Sequence, residues 1–147
     1  MTTGLRAGDR RDREARWARV LLAGYLAAGA WLTLRPSPMG RVQGFGTRLV
    51  HDLTGTSWHV SARLAERGGN VLLFVPLGLL LCAALPRVPR WVVWAICVAG
   101  SLGIEATQAL FLPNRFPSVV DVVTNSTGAA IGVGLHWLLT RGRRTPG

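Results

Sequence analysis

Apolar residues in this chain gather into four blocks, at 20–34, 70–85, 91–112 and 119–139, separated by stretches rich in Arg, Pro and Gly. A water-soluble domain of 147 residues would instead spread its apolar positions along the chain at helical or strand periods. Blocks of this kind read as membrane spans, each needing roughly 20 apolar residues to cross the hydrocarbon. The first two are short for that purpose, and flanking Arg stems and Trp rings extend them toward the headgroups. The expected fold is all-α: a polytopic membrane protein with four transmembrane helices and an interfacial helix in the first outer loop.

Charge placement sets the expected orientation. All 17 basic residues are Arg, and the formal net charge is +10. Arg6, Arg10, Arg11, Arg13, Arg16 and Arg19 precede the first block, Arg87 and Arg90 sit between the second and third, and Arg141, Arg143 and Arg144 close the chain. By the positive-inside rule these three groups belong in the cytoplasm, and an even number of spans puts them there together. The expectation is a multi-pass protein of the cytoplasmic membrane with both termini inside. It comprises a basic tail over 1–16, a four-helix membrane domain over 17–140 and a second basic tail over 141–147. The 35–69 connection on the other side carries five Arg, partly offset by Asp52 and Glu66. Arg clusters flanking apolar blocks suit anionic lipid better than nucleic acid, so membrane lipids are the expected partners and nucleic acid is not. Small residues Ala27 to Ala30 give the first block a signal-peptide character, but apolar residues continue through Trp31, Leu32 and Leu34, which favours an uncleaved anchor.

Punctuation marks the elements. Pro36 and Pro38 end the first helix, because proline cannot donate a backbone hydrogen bond and restricts the residue before it. One or two short interfacial helices are expected over 45–64, interrupted at Thr54-Gly55-Thr56, with Trp58 near headgroup level. Gly68-Gly69 then breaks the chain and Asn70 opens the second span. Pro76 leaves the Leu72 carbonyl without its helical partner, which predicts a kink, and Gly78 allows another backbone to approach. Pro86, Arg87 and Pro89 make a tight antiparallel turn. Pro113 stops the third helix, and Ser118 with Asp121 reads as a capping box opening the fourth.

Glu105 is the outstanding residue, a carboxylate inside the third apolar block. Ionised at mid-bilayer it would cost on the order of 2.5–3.5 kcal/mol even on the lenient insertion scale, so it must face protein or water. Gln108 lies one turn on, Arg115 on the short outer turn, and Asp121, Asn125, Gly128 and Gly132 fall at steps of four, three and four along one face of the fourth helix. Gly128 and Gly132 also form a small-xxx-small pair that suits close helix packing. With alternating spans, Asn70, Glu105, Asp121 and Asn125 arrive at one depth near the outer boundary, within reach of Arg115. Blander readings stand beside this one: Asp121 and Asn70 as helix caps, Gln108 and Asn125 as interhelical hydrogen-bond partners, Glu105 with Arg115 as a structural ion pair. Cys82 and Cys97 read as small apolar packing residues, and His51, His59 and His136 lack ligand spacing, so neither a metal nor a cofactor is expected.

The ordered set Asn70-x3-Phe74-x-Pro76-x-Gly78, Glu105-x2-Gln108, Arg115, and Asp121-x3-Asn125-x2-Gly128-x3-Gly132 resembles the VanZ-like family over about residues 68–140. These are small polytopic bacterial membrane proteins named for a member associated with teicoplanin resistance. The resemblance implies a four-helix cell-membrane protein linked to glycopeptide response or the cell envelope, and it implies no reaction. The favoured reading is a non-enzymatic factor whose outer-leaflet cluster of Asn70, Glu105, Gln108, Arg115, Asp121 and Asn125 recognises a lipid-linked cell-wall precursor or a glycopeptide. The alternative is a membrane enzyme acting on an envelope lipid headgroup, with Glu105 and Asp121 as acid and base. Proton-coupled transport through Glu105 would require an oligomer, since four helices leave little room for a pathway.

Overall fold

The computed structural model describes residues 7–34, 36–111 and 118–142, and the regular structure there is entirely helical. In chain order the helices are α1 (Ala7–Leu34), α2 (Pro36–Thr54), α3 (Trp58–Ala84), α4 (Arg90–Phe111) and α5 (Val119–Arg141). The all-α class expected from the sequence is what forms. α3 is the hub: it touches each of the other four helices and packs most extensively on α5, while α4 leans mainly on α5.

Several boundaries differ from the sequence expectation. α1 begins at Ala7, so much of the basic N-terminal stretch is helical and continuous with the first apolar block. Ala15 and Ala18, three residues apart and therefore on one face, are buried, and Arg19 Nε donates to the Ala84 carbonyl at the end of α3 at 3.2 Å. Pro36 opens α2, the position where a missing N–H is harmless. The expected short interfacial pieces are instead one 19-residue helix, α2, followed by the first turns of α3. The interruption at Thr54-Gly55-Thr56 is present: Gly55 has φ +64°, its N–H bonds the His51 carbonyl at 2.8 Å, and the chain turns into α3. His51 Nδ1 lies 2.6 Å from the Thr56 carbonyl oxygen, and its ring meets Trp58 edge-on, which closes the corner.

No break occurs at Gly68-Gly69, and Asn70 lies in mid-helix rather than capping a new one. Glycine disfavours helix by about 1 kcal/mol but keeps its N–H, so α3 runs through both glycines, and the helix as a whole packs on α2 and α5. Pro76 is likewise accommodated inside α3. Nearby, Tyr25 on α1 donates its hydroxyl to the Leu73 carbonyl at 2.5 Å, one residue beyond the Leu72 carbonyl that Pro76 deprives of a partner. The 85–89 turn between α3 and α4 is as tight as Pro86 and Pro89 foretell, with Val88 N–H on the Leu85 carbonyl at 3.0 Å.

Large apolar side chains point outward and small ones inward. Trp17, Leu26, Leu72, Trp91, Leu110 and Leu138 are among many exposed large hydrophobics. Val93, Ser61 and Ser101 are the largest side chains that are fully buried, and Ala129, Cys97 and Cys82 share the interior with Phe74. Among the described residues α3 is the helix long and apolar enough to cross a membrane, and only 22% of its most apolar window is buried. α5 is of similar reach but carries Asp121, Thr124, Asn125, Ser126 and Thr127.

The α3–α5 contact depends on missing side chains. A methyl at Gly128 would strike the Val71 carbonyl oxygen, one at Gly132 the Val75 carbonyl oxygen and the Leu79 nitrogen, and one at Gly78 the Ala129 carbonyl oxygen at 2.5 Å. These are backbone obstacles that cannot swing aside. At Gly68 a methyl would meet nothing within 4 Å. Gly132→Ala should therefore destabilise the protein by about 1–3 kcal/mol, whereas Gly68→Ala should stabilise it by about 0.5–1 kcal/mol. Thermal unfolding of the two variants in one detergent checks the opposite signs.

Candidate functional site

Ser118 sits at the centre of the polar cluster. It is the N-cap of α5, in extended conformation, and its Oγ accepts from the Asp121 N–H at 3.2 Å. In a complete capping box the third helical residue would reach back to the cap's own N–H. Asp121 does not. Its carboxylate turns toward α3, where Oδ1 accepts from Asn70 Nδ2 at 3.0 Å. Glu105 on α4 takes the vacated role: its Oε2 accepts from the Ser118 N–H at 2.8 Å, and the side chain is 7% exposed. The capping box is thus closed across helices, and Glu105 and Asp121 both lie at the positive end of the α5 dipole, where carboxylates are favoured.

One turn further along α5, Asn125 Nδ2 donates to Ser101 Oγ of α4 at 2.9 Å. Both residues are buried, Asn125 to 5% exposure and Ser101 completely. Asn125 Oδ1 is also buried and has no hydrogen-bond partner, an unused acceptor at the base of the cluster. Trp94 Nε1 donates to the Ser126 carbonyl at 3.1 Å, a further tie between α4 and α5. Helices α3, α4 and α5 therefore bring Asn70, Glu105, Asp121 and Asn125 together. Arg115 and the side chain of Gln108 lie outside the described residues. Gly128 and Gly132 lie on the same α5 face as Asn125, pressed to α3 with Gly78, and Pro76 stands inside that helix.

The VanZ/LLP1 family model matches residues 22–140. The chain belongs to the VanZ/LLP1 family. Protein VanZ of Enterococcus faecium is 29% identical over 121 residues, which cover 82% of this chain and 74% of that protein. No solved structure matches the chain significantly. The VanZ/LLP1 match includes every member of the polar cluster and the three contact glycines, and leaves the first 21 residues outside it.

Sequence reading missed Ser101 as a partner and gave Ser118 only a capping role. A lone Ser in an apolar helix carries no signal of its own; Ser101 would have emerged only from noticing that it stands four residues before Glu105, on the same helical face. Among the described residues no group of His, Cys, Asp and Glu has the arrangement of a metal site.

Two outcomes test this network. Asn125→Ala and Ser101→Ala should each lower stability by about 1–3 kcal/mol, because each strands a buried polar partner, and a double-mutant cycle should show their effects to be less than additive. Glu105→Gln, which still offers Ser118 an acceptor, should unfold closer to wild type than Glu105→Leu in the same detergent.

Proposed function

We propose that this chain is a four-span protein of the cytoplasmic membrane, both termini inside, whose outer-leaflet polar cluster recognises a lipid-linked cell-wall precursor or a glycopeptide-type ligand without turning it over. The observation that carries this reading is a set of polar side chains, Glu105 and Asn125 buried and Ser118, Asp121 and Asn70 half-buried, hydrogen-bonded across α3, α4 and α5 inside a bundle that turns its large apolar side chains outward. A bilayer is the solvent in which such a surface is favourable and in which buried polar side chains need a purpose. Helices of 22 to 28 residues in α1, α3, α4 and α5 are long enough to span it.

Support for the orientation comes from the two ends of the bundle. Arg19, Arg87 and Arg90 gather at the end where α3 passes into α4, as Arg19 bonds the Ala84 carbonyl and Arg87 meets Asp12 at 3.9 Å. The polar cluster lies at the other end, where α5 begins. If the Arg-rich end is cytoplasmic, the cluster opens toward the outer leaflet.

In this reading Asn125 Oδ1, buried and unpaired, receives a donor from the ligand. Arg115 and Gln108 join from the 112–117 connection and from α4, with Arg115 engaging an anionic group. Glu105 and Asp121 each commit an oxygen to a structural hydrogen bond, which favours orientation of a ligand over acid–base chemistry. The link to teicoplanin is what the VanZ-like resemblance implies.

The deciding experiment is teicoplanin susceptibility of a sensitive host expressing wild type, Glu105→Gln or Arg115→Ala at matched, verified membrane levels. Protection by wild type that is lost in both variants is expected. Correctly inserted wild type that gives no protection would remove the antibiotic link, and reporters fused to each terminus that reported opposite sides would remove the four-span topology.

A further inference from the structure

A second candidate site lies at the Arg-rich end, away from the polar cluster. A half-open cavity of about 440 Å³ is walled by α1, the α3–α4 turn and the last turns of α5, with Arg87, Arg90, His136 and Thr140 as its main polar lining. Arg87 also borders a second depression, formed with Asp12, Arg16 and Arg19. We propose that this cavity binds a phosphoryl group.

Three observations converge on that chemistry. The first is charge. Arg87 and Arg90 stand on the cavity wall against a single acid, Glu14. The Arg87 contact to Asp12 is long, at 3.9 Å, with side chains 84% and 63% exposed, so it holds Arg87 only weakly. The second is an orphan donor or acceptor. His136 lines the cavity, and its Nδ1 is buried without a hydrogen-bond partner. In native proteins such an atom generally signals a missing partner, and an imidazole N–H suits an anionic oxygen.

The third observation is architecture. The cationic and polar groups come from two separate places in the chain, the α3–α4 turn with the start of α4, and the end of α5. Arg90 begins α4, whose first N–H groups present the positive end of that helix. Thr140 donates its proton to the His136 carbonyl at 2.8 Å, which holds the hydroxyl against the backbone of α5. Arg19 fastens α1 over the end of α3 through the Ala84 carbonyl. A planar carboxylate would satisfy one guanidinium face. A tetrahedral phosphoryl group offers oxygens in several directions and can meet both Arg and the imidazole at once.

The phosphoryl group has two available sources, a phospholipid headgroup at the membrane surface and phosphate free in solution. The site does not depend on the outer-leaflet reading, since it uses none of that cluster's residues. Only its placement on the cytoplasmic face rests on the proposed orientation.

The experiment uses the full chain. Binding of inorganic phosphate is followed by calorimetry in neutral detergent, and bound lipid is counted by native mass spectrometry after nanodiscs of phosphatidylcholine with or without phosphatidylglycerol. Wild type should bind one of these probes saturably, Arg90→Gln should weaken it by roughly tenfold, and His136→Phe should weaken it as well. Arg63→Gln, an exposed site on the first turns of α3, should leave binding unchanged. Phosphatidylglycerol that free phosphate fails to displace identifies the headgroup as the source, and displacement identifies a site open to soluble phosphate; both support the proposal. It is overturned if neither probe binds saturably, or if Arg63→Gln costs as much binding as Arg90→Gln, which would mean diffuse attraction. Elution profile and unfolding temperature establish that each variant is folded, and Arg87→Gln, at an 84% exposed side chain, serves if Arg90→Gln is not.

Discussion

Backbone of α5 lies directly against backbone of α3 at Gly128 and Gly132, with the Val71 and Val75 carbonyls where methyl groups would otherwise be. Gly78 reciprocates from α3 against Ala129. Two pairs of positions four residues apart thus face each other, so the contact fixes both the distance and the register of the two helices. In lipid, apolar side chains gain nothing by leaving one hydrocarbon surface for another, and close van der Waals packing of small residues is what holds helices together. The interior of small residues and the outward-facing Leu, Val and Trp side chains are compatible with that condition.

Beside that contact the two helices also meet through side chains: Asp121, about two turns before Gly128 on α5, accepts from Asn70, the residue before Val71 on α3. That pairing diverts the Asp121 carboxylate from its local capping duty, which leaves the Ser118 N–H for Glu105. A carboxylate that looks anomalous within an apolar helix therefore has a definite role, completing the start of the next helix and joining α4 to α5 alongside the Asn125–Ser101 and Trp94–Ser126 bonds. The same bond accounts for its tolerance inside the bundle, because a charge-assisted hydrogen bond and a helix N-terminus both compensate lost hydration. A structural role and a ligand-binding role for Glu105 are compatible, since the network that holds it in place also orients whatever enters beside it.

The molecule has two chemically different ends. One gathers carboxylates and carboxamides where α4 passes into α5, and the other gathers guanidinium groups around the α3–α4 turn. Among the described residues each end holds one buried polar atom without a partner, Asn125 Oδ1 at the first and His136 Nδ1 at the second. An unpaired acceptor beside acids and an unpaired imidazole nitrogen beside cations call for ligands of opposite character.

By itself the sequence determined the helical class, the tight 85–89 turn, the break at Gly55, the glycine face of α5 and the polar positions Asn70, Glu105, Asp121 and Asn125, because each rests on local chemistry or on period along one helix. It misplaced the start of α3, since Gly68-Gly69 looks like a break, whereas the helix runs through both glycines and packs on α2 and α5. It did not reveal Ser101, Tyr25 or the exchange of capping partners at Ser118. Those are pairings between residues 13 to 51 positions apart, for Glu105 with Ser118 and Asn70 with Asp121 among others. Which acceptor a donor chooses over such separations depends on the distance between helices, and that distance was decided only when the α3 and α5 backbones met.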